Sequence, residues 1–336
     1  MQSLLDPAIL FFLFGMLAGA LKSDLEIPPQ IAKFLSLYLL MALGLKGGFA
    51  LAESGLNASV MVSLAAAMLM AFIVPAIGYQ LLKNRLSRFD AAAIAGAYGS
   101  VSAVTFVTAT QYLEANHMSP GGHMTVALVV MESPAIVVAV MLANMLRHAP
   151  AGTMVLSPSG GAAMPLAGGS GGVPPLGKIL HESFTNGAHL LLLGAMAIGY
   201  LSGDAGSAVM APFSSDLFKG MLAFFLLDMG LMVARNFGSV RGQSPVLIAY
   251  AILGPLVHAS IALALAVLLQ LPAADAALLM VLSASASYIV VPAVLRYAIP
   301  EANPSLYFGL ALGITFPLNI LLGIPLYTYF ATTVLG

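Results

Sequence analysis

Two segments rich in glycine and serine interrupt long apolar stretches of this sequence. Residues 96–105 read GAYGSVSAVT, and residues 283–292 read SASASYIVVP. Glycine weakens a helix, serine competes for its hydrogen bonds and proline removes a donor, so we predict a helix break in each segment. A half-helix that restarts after a break presents free N–H groups and a positive dipole end, which attract an anion. Alternatively, these small residues only let two helices pack closely. The predicted anion-binding residues are Gly99, Ser100, Val101 and Ser102 in the first segment and Ser285, Ala286, Ser287 and Tyr288 in the second.

A carboxylate, Glu132, lies in the middle of another apolar stretch and is followed by Ser133 and Pro134. Inside a bilayer a charged side chain costs about 2.5–3.5 kcal/mol on insertion scales, so Glu132 needs a partner or a proton. A carboxylate beside carbonyl groups freed by a proline offers the oxygen ligands that hard cations prefer. The alternative is a protonated, hydrogen-bonded structural glutamate. The predicted ion-binding residues are Thr105, Glu132, Thr315 and Asn319.

Several other chemistries are excluded by what the sequence lacks. It has no cysteine, so disulfides, thiolate metal sites and iron–sulfur clusters are excluded. The six histidines form no ligand-spaced cluster, and the apolar stretches contain neither GxSxG nor a serine–histidine pairing, which argues against an enzyme. No arginine lies at mid-membrane depth to clamp a dicarboxylate or a phosphate, so a small anion fits better. With a net charge of −1 and no basic stripe, the sequence predicts no nucleic-acid partner, and it predicts no cofactor beyond a coupling ion.

These candidate residues must be positioned by helices that span a membrane. Of the 336 residues 60% are hydrophobic and only 7% are charged, whereas soluble proteins average about 25% charged residues. The apolar runs are about 20 residues long, which is the length of a spanning helix rather than of a barrel strand. We predict an all-α membrane protein with ten spanning helices, at residues 7–21, 31–50, 59–82, 91–113, 122–146, 187–202, 216–234, 244–270, 276–297 and 305–334.

The basic residues are distributed unevenly between alternate loops. Because basic loops face the cytoplasm, this asymmetry predicts that both termini lie outside and that a linker at residues 148–178 is cytoplasmic. The linker is rich in Gly, Pro, Ser and Ala, and it separates two blocks of five helices, residues 1–147 and 179–336. Ten of the twelve basic residues lie on the cytoplasmic side of this topology, namely Lys22, Lys33, Lys83, Arg85, Arg88, Arg147, Lys178, Arg235, Arg241 and Arg296.

The two blocks resemble each other in sequence. Residues 21–24 (LKSD) match residues 201–204 (LSGD) at an offset of 180. Because each block has an odd number of spans, its copy must enter the membrane in the opposite orientation, and such inverted repeats are typical of secondary transporters with a site near the bilayer midplane. Three further matches follow in order at offsets of 186, 185 and 183, pairing Gly44 with Gly230, Asp90 with Asp275, and Pro134 with Pro317.

Four motifs carry a resemblance to a known family: residues 44–48 (GLKGG), 96–102 (GAYGSVS), 132–134 (ESP) and 299–307 (IPEANPSLY). Over nearly its whole length the chain resembles the sodium-dependent bicarbonate transporter family. The resemblance implies two inverted halves, a core domain in which the broken fourth and ninth helices cross, a gate domain, and a homotrimer in the cell inner membrane. It also implies symport of sodium and bicarbonate into the cell, with control by a PII-like protein at the cytoplasmic face.

The chain departs from the family pattern at two predicted site residues. Tyr288 stands where the pattern has an aspartate, and residues 290–292 read VVP in place of Gly-Pro-Pro. Glu132 also replaces an aspartate, which keeps the charge on a longer side chain. The loss of a carboxylate at Tyr288 leaves a second interpretation open, a sodium- or proton-coupled carrier of another small monocarboxylate or anion.

Overall fold

A computed structural model of the chain describes residues 6–55, 57–148, 187–240, 242–288 and 290–336. Within these ranges the regular structure is entirely helical, as predicted. Apart from His148, which ends a helix, the predicted linker lies outside the described residues.

Twelve helices make up the described part of the chain. Most of them begin at a residue that caps or pre-sets the first turn; Asp6, Asn57 and Ser87, for example, each accept a hydrogen bond from a backbone N–H of the helix that follows. In chain order the helices are α1 (Pro7–Ala20), α2 (Pro29–Ser54), α3 (Ala58–Leu82), α4 (Arg88–Gly99), α5 (Ala103–Ala115), α6 (Met124–His148), α7 (Gly187–Ala211), α8 (Phe218–Asn236), α9 (Pro245–Leu268), α10 (Ala273–Ala284), α11 (Val290–Ala298) and α12 (Pro304–Leu335).

Seven stretches of the described chain are long and apolar enough to cross a membrane, compared with the ten predicted spans. The difference arises where helices are short or joined. Helices α1 and α10 have 14 and 12 residues, and α7 and α8 follow each other in one helical stretch of 50 residues. A straight helix of that length would measure about 75 Å, more than twice the hydrocarbon core of a bilayer. The stretch instead changes direction at Gly203, whose φ of 52° favours glycine, and passes through a π-helical turn at Pro212–Asp216.

Helix α2 packs along α7, and α1 packs along α8, through close glycine contacts. A Cβ on Gly44 would overlap the carbonyl oxygen of Leu192, and one on Gly48 would overlap that of Met196. Because the contacts advance together along both helices, α2 and α7 run in the same direction. The same holds for α1 and α8, where Gly15 lies against Leu227, Gly230 and Leu231, and Gly19 lies against Leu231 and Ala234.

Two aspartates tie the first halves of the broken helices to distant parts of the chain. Asp90 in the first turn of α4 accepts a hydrogen bond of 2.7 Å from the backbone N–H of Asn303, just before α12. Asp275 in the first turn of α10 accepts one of the same length from the N–H of Gly121, just before α6. The two contacts are therefore equivalent in the two halves of the chain. The aspartates are 185 residues apart, and the residues that donate to them, Gly121 and Asn303, are 182 residues apart.

An ion pair joins the end of α6 to the turn before α12. Arg147 donates hydrogen bonds of 2.7 and 2.6 Å to the two carboxylate oxygens of Glu301 and one of 3.0 Å to the carbonyl of Ala298. The hydrogen bonds from Arg147 hold the pKa of the Glu301 carboxyl below its usual value. The turn before α12 is thus held by Asp90, through Asn303, and by Arg147, through Glu301.

Candidate functional site

Both predicted helix breaks are confirmed. Helix α4 ends at Gly99, the backbone of Ser100 is extended with φ of −87° and ψ of 178°, and α5 begins at Ala103. Helix α10 ends at Ala284, Ser285 is extended with φ of −80° and ψ of 167°, and α11 begins at Val290. Between the helix halves, some backbone N–H and C=O groups are therefore not hydrogen-bonded within a helix.

The two breaks contact each other. The N–H of Ser102 donates a hydrogen bond of 3.0 Å to Oγ of Ser285, and the N–H of Ser287 donates one of 2.8 Å to the carbonyl of Ala97. Ser102 and Ser285 are 183 residues apart, so these contacts join the two blocks of the chain. The structure thus brings both halves of the predicted anion site together.

The serine side chains stabilise the helix halves that begin after each break. Oγ of Ser102 caps α5 by accepting hydrogen bonds from the N–H and hydroxyl of Thr105, at 3.2 and 3.0 Å. Oγ of Ser287 accepts a hydrogen bond of 3.2 Å from the N–H of Val291 in the first turn of α11. The Oγ of Ser100 is buried and has no hydrogen-bond partner within the described part of the chain. Ser102 and Ser287 thus each satisfy one backbone N–H in the first turn of the following helix, and the other N–H groups of that turn have no partner within the helix and can bind a further acceptor.

A cavity of about 90 Å³, which we call the crossing cavity, opens at the meeting point of the two breaks. Three other helices complete its wall, with Ser36 and Leu40 from α2, Leu128 from α6 and Leu192 from α7. Gly99, Ser100, Ser285, Ala286, Thr105, Thr315 and Asn319 do not line it. Of the predicted site residues, the wall of the crossing cavity contains Val101, Ser102, Ser287, Tyr288 and Glu132.

The carboxylate of Glu132 contacts the imidazole of His189 in the first turn of α7. Both side chains are more than 90% buried, and both line the crossing cavity. Sequence reasoning predicted that Glu132 needs a partner but did not identify His189. The sequence feature that could have identified this partner is the presence of a histidine in the apolar stretch after the linker, 57 residues from Glu132.

Thr315 and Asn319 both lie on α12 and make hydrogen bonds away from Glu132. Thr315 Oγ1 lies 2.7 Å from the hydroxyl of Tyr98 and donates a hydrogen bond of 2.8 Å to the carbonyl of Ala251. Asn319 donates one of 2.8 Å to the carbonyl of Ala284, the last residue of α10. No hydrogen bond found in the described residues joins Glu132 to Thr105, Thr315 or Asn319. The structure therefore places the four predicted ion-binding residues in separate hydrogen-bond networks.

The chain as a whole matches one family. Residues 7–332 match the family model of the Na⁺-dependent bicarbonate transporter superfamily. This chain belongs to that superfamily. A comparison with curated proteins gives no match. Membership confirms the resemblance carried by the sequence motifs, and together with the seven apolar stretches it makes the chain a multi-pass membrane protein of a sodium-dependent transporter superfamily.

In this superfamily member, Tyr288 forms an aromatic wall of the crossing cavity. Its ring centroid lies 5.1 Å from that of Phe316, and its hydroxyl lies 3.9 Å from the sulfur of Met229. The hydroxyl also interacts with the side chain of Ser102. Tyr288 therefore lines the cavity beside the starts of α5 and α11.

Proposed function

We propose that this protein is a secondary transporter that imports bicarbonate together with sodium, and that the anion binds in the crossing cavity. The observation that carries the proposal is the meeting of two helix breaks at a cavity wall, joined by the hydrogen bonds of Ser102 and Ser287. The starts of α5 and α11 supply N–H groups and positive dipole ends for a negative charge. Family membership supports sodium and bicarbonate as the transported ions.

The side chains that line the crossing cavity indicate which kind of anion it can bind. Its described lining contains no arginine and no lysine. Recognition would therefore depend on backbone N–H groups and the hydroxyls of Ser102, Ser287 and Tyr288, which suit a small anion of single charge. The aromatic ring of Tyr288 in the cavity wall, which packs at an angle of 57° against Phe316, favours a second candidate, a small monocarboxylate whose apolar end lies against Tyr288.

For the coupling ion, we propose Glu132 as the charged ligand and Thr105, Thr315 and Asn319 as the other candidates. Glu132 shares the crossing cavity with the anion-binding residues, so an ion there would be close to the anion. Thr315 and Asn319 donate hydrogen bonds to carbonyl oxygens of α9 and α10. The side-chain oxygens of Thr315 and Asn319 are of the kind that hard cations prefer as ligands. Binding by all four requires their separate hydrogen-bond networks to approach one another during transport.

We further propose the predicted architecture of ten spans in two inverted repeats, residues 1–147 and 179–336. The parallel pairing of α1 with α8 mirrors that of α2 with α7, and the contact of Asp90 mirrors that of Asp275. In this arrangement α1, α2, α7 and α8 are the gate domain and the remaining helices are the core domain. A homotrimer in the inner membrane and a PII-like partner at the cytoplasmic face belong to the same proposal.

Uptake of radiolabelled bicarbonate by proteoliposomes tests the transported ions. We expect accumulation with an inward sodium gradient and only background uptake with an equal potassium gradient. Uptake that follows a proton gradient in the absence of sodium would contradict sodium coupling. Competition by formate or acetate stronger than that by unlabelled bicarbonate would support the monocarboxylate candidate instead.

Reporter fusions test the predicted topology. A reporter inserted after Ser170 should be active in the cytoplasm, and one fused after Gly336 should be active outside, because ten of twelve basic residues lie on the linker side. A periplasmic alkaline phosphatase and a cytoplasmic fluorescent protein give opposite signals and control for expression. Both positions on one side of the membrane would contradict ten spans.

A further inference from the structure

A second cavity follows the crossing cavity along the same three helices, α2, α5 and α6. It has a volume of about 260 Å³, and we call it the vestibule. On α2 the crossing cavity touches Ser36 and Leu40, whereas the vestibule is lined from Leu43 to Glu53. The two cavities also succeed each other along α5 and α6, so they form a series rather than two unrelated voids.

A thin apolar layer separates the two cavities. One or two residues lie between the linings on each helix, so the facing lining residues are separated by about 3–5 Å at the rise of an α-helix. None of the side chains in this layer is more than 7% exposed. Passing from the crossing cavity to the vestibule, the layer consists of Leu40 and Leu43 on α2, Val104 and Phe106 on α5, and Leu128 and Met124 on α6.

Polar groups lie on both sides of this layer. In the vestibule, Lys46 forms an ion pair of 2.9 Å with Glu114, and Thr110 lines the same wall. On the other side of the layer, Ser102 and Glu132 line the crossing cavity. An ion that passed between them would lose its water inside an apolar constriction, and such constrictions close a path by excluding water.

Close backbone contact seals α2 against the start of α6 at the level of the vestibule. A Cβ on Gly122 would overlap the carbonyl oxygen of Gly47 and lie 2.9 Å from the backbone nitrogen of Leu51. A Cβ on Gly47 would lie 2.7 Å from Oγ1 of Thr125. The path between the cavities is therefore closed both by side chains across it and by backbone packing beside it.

We propose that the vestibule and the crossing cavity are two chambers of one permeation path, and that Leu43, Phe106 and Leu128 form the hydrophobic barrier between them. Phe106 is the largest of the three and is 1% exposed. The proposal rests on the proposed function for the nature of the permeating ion, but the barrier itself requires only that the chain transports a solute. It assigns the vestibule as one entrance and Phe106 as the residue that controls passage from it.

Thiol labelling tests the barrier without any substrate. The sequence contains no cysteine, so single cysteines carry no background. We would place Ala50→Cys in the vestibule and Ser36→Cys in the crossing cavity, and treat vesicles of either orientation with a membrane-impermeant methanethiosulfonate in sodium-free buffer. From the side on which Ala50→Cys reacts, Ser36→Cys should react about 100-fold more slowly, and adding Phe106→Ala should accelerate it about tenfold, because an apolar constriction that loses its bulk admits water.

Two further variants distinguish a barrier from general loosening of the fold. Phe106→Leu keeps an apolar side chain and should leave Ser36→Cys slow. Phe12→Ala truncates an equally buried ring on α1, where Phe12 packs edge-to-face against Phe316 and lines neither cavity, and it should not accelerate labelling. Equal labelling of both cysteines from the Ala50 side, or equal acceleration by Phe12→Ala and Phe106→Ala, would overturn the proposal. A failure of sodium-driven bicarbonate uptake alone would refute the proposed function and leave the labelling result standing.

Discussion

Replacing Ser287 or Ser102 by leucine is expected to reduce uptake to the background of empty liposomes. Both serines line the crossing cavity, are at least 95% buried, and lie beside the N–H groups of α11 and α5. A leucine at either position would fill the space in front of those N–H groups and remove a side chain that caps or supports the helix start. Loss of a cap costs about 0.5–2 kcal/mol, which a protein of this size tolerates, so the main loss is of anion binding rather than of folding.

The matched control is Ser260→Leu, because Ser260 is exposed on α9 and its hydroxyl bonds only the carbonyl of Leu256 among the contacts found. It should transport normally. Ser102→Ala and Ser287→Ala, which leave the space open, should retain uptake with a raised KM. Size-exclusion profiles and thermal stability in detergent establish that each variant is folded. Near-normal affinity in both leucine variants would support the interpretation that these serines only permit close helix packing.

Replacing Glu132 by glutamine is expected to lower the apparent sodium affinity at least about tenfold, because even the loss of a group that only supports a metal ligand costs about 10- to 100-fold in affinity. Glutamine keeps the length and hydrogen-bonding capacity of the side chain, so contact with His189 can persist while the charge is lost. Anion affinity at saturating sodium should change far less, because coupling between two sites no longer matters once one of them is filled. The measurement is the sodium dependence of uptake at fixed bicarbonate, followed by the bicarbonate dependence at high sodium.

Other roles for Glu132 give different results in the same variant. If Glu132 carries a proton, the sodium dependence survives and the pH dependence of uptake flattens. If the carboxylate only pairs with His189, thermal stability falls and both dependences persist, since breaking a buried pair costs about 3–5 kcal/mol. His189→Gln then serves as the partner control and should show the same loss of stability. Unchanged sodium and pH dependence in a folded variant would remove Glu132 from the mechanism and leave Thr105, Thr315 and Asn319 as candidates.

The amino-acid sequence alone determined the membrane character of the chain and the positions of its two helix breaks. These features depend on local properties. Runs of about 20 apolar residues fit the thickness of a bilayer, and the serines and glycines near Ser100 and Ser285 weaken a helix wherever it lies. The offsets of 180–186 residues between matching segments of the two halves were also visible in the sequence, and they predicted that Asp90 and Asp275 occupy equivalent places.

Only the tertiary structure decided which of these residues meet. Glu132 and His189 lie on opposite sides of the linker, and no local pattern records that α6 and α7 bring their side chains into contact. Thr315 and Asn319 were grouped with Glu132 by repeat position, yet packing of α12 against α9 and α10 directs their side chains to other carbonyl groups. Contacts of this kind depend on the orientation of whole helices, which follows from the shapes of packed surfaces such as the glycine faces of α2, rather than from the order of residues within any one helix.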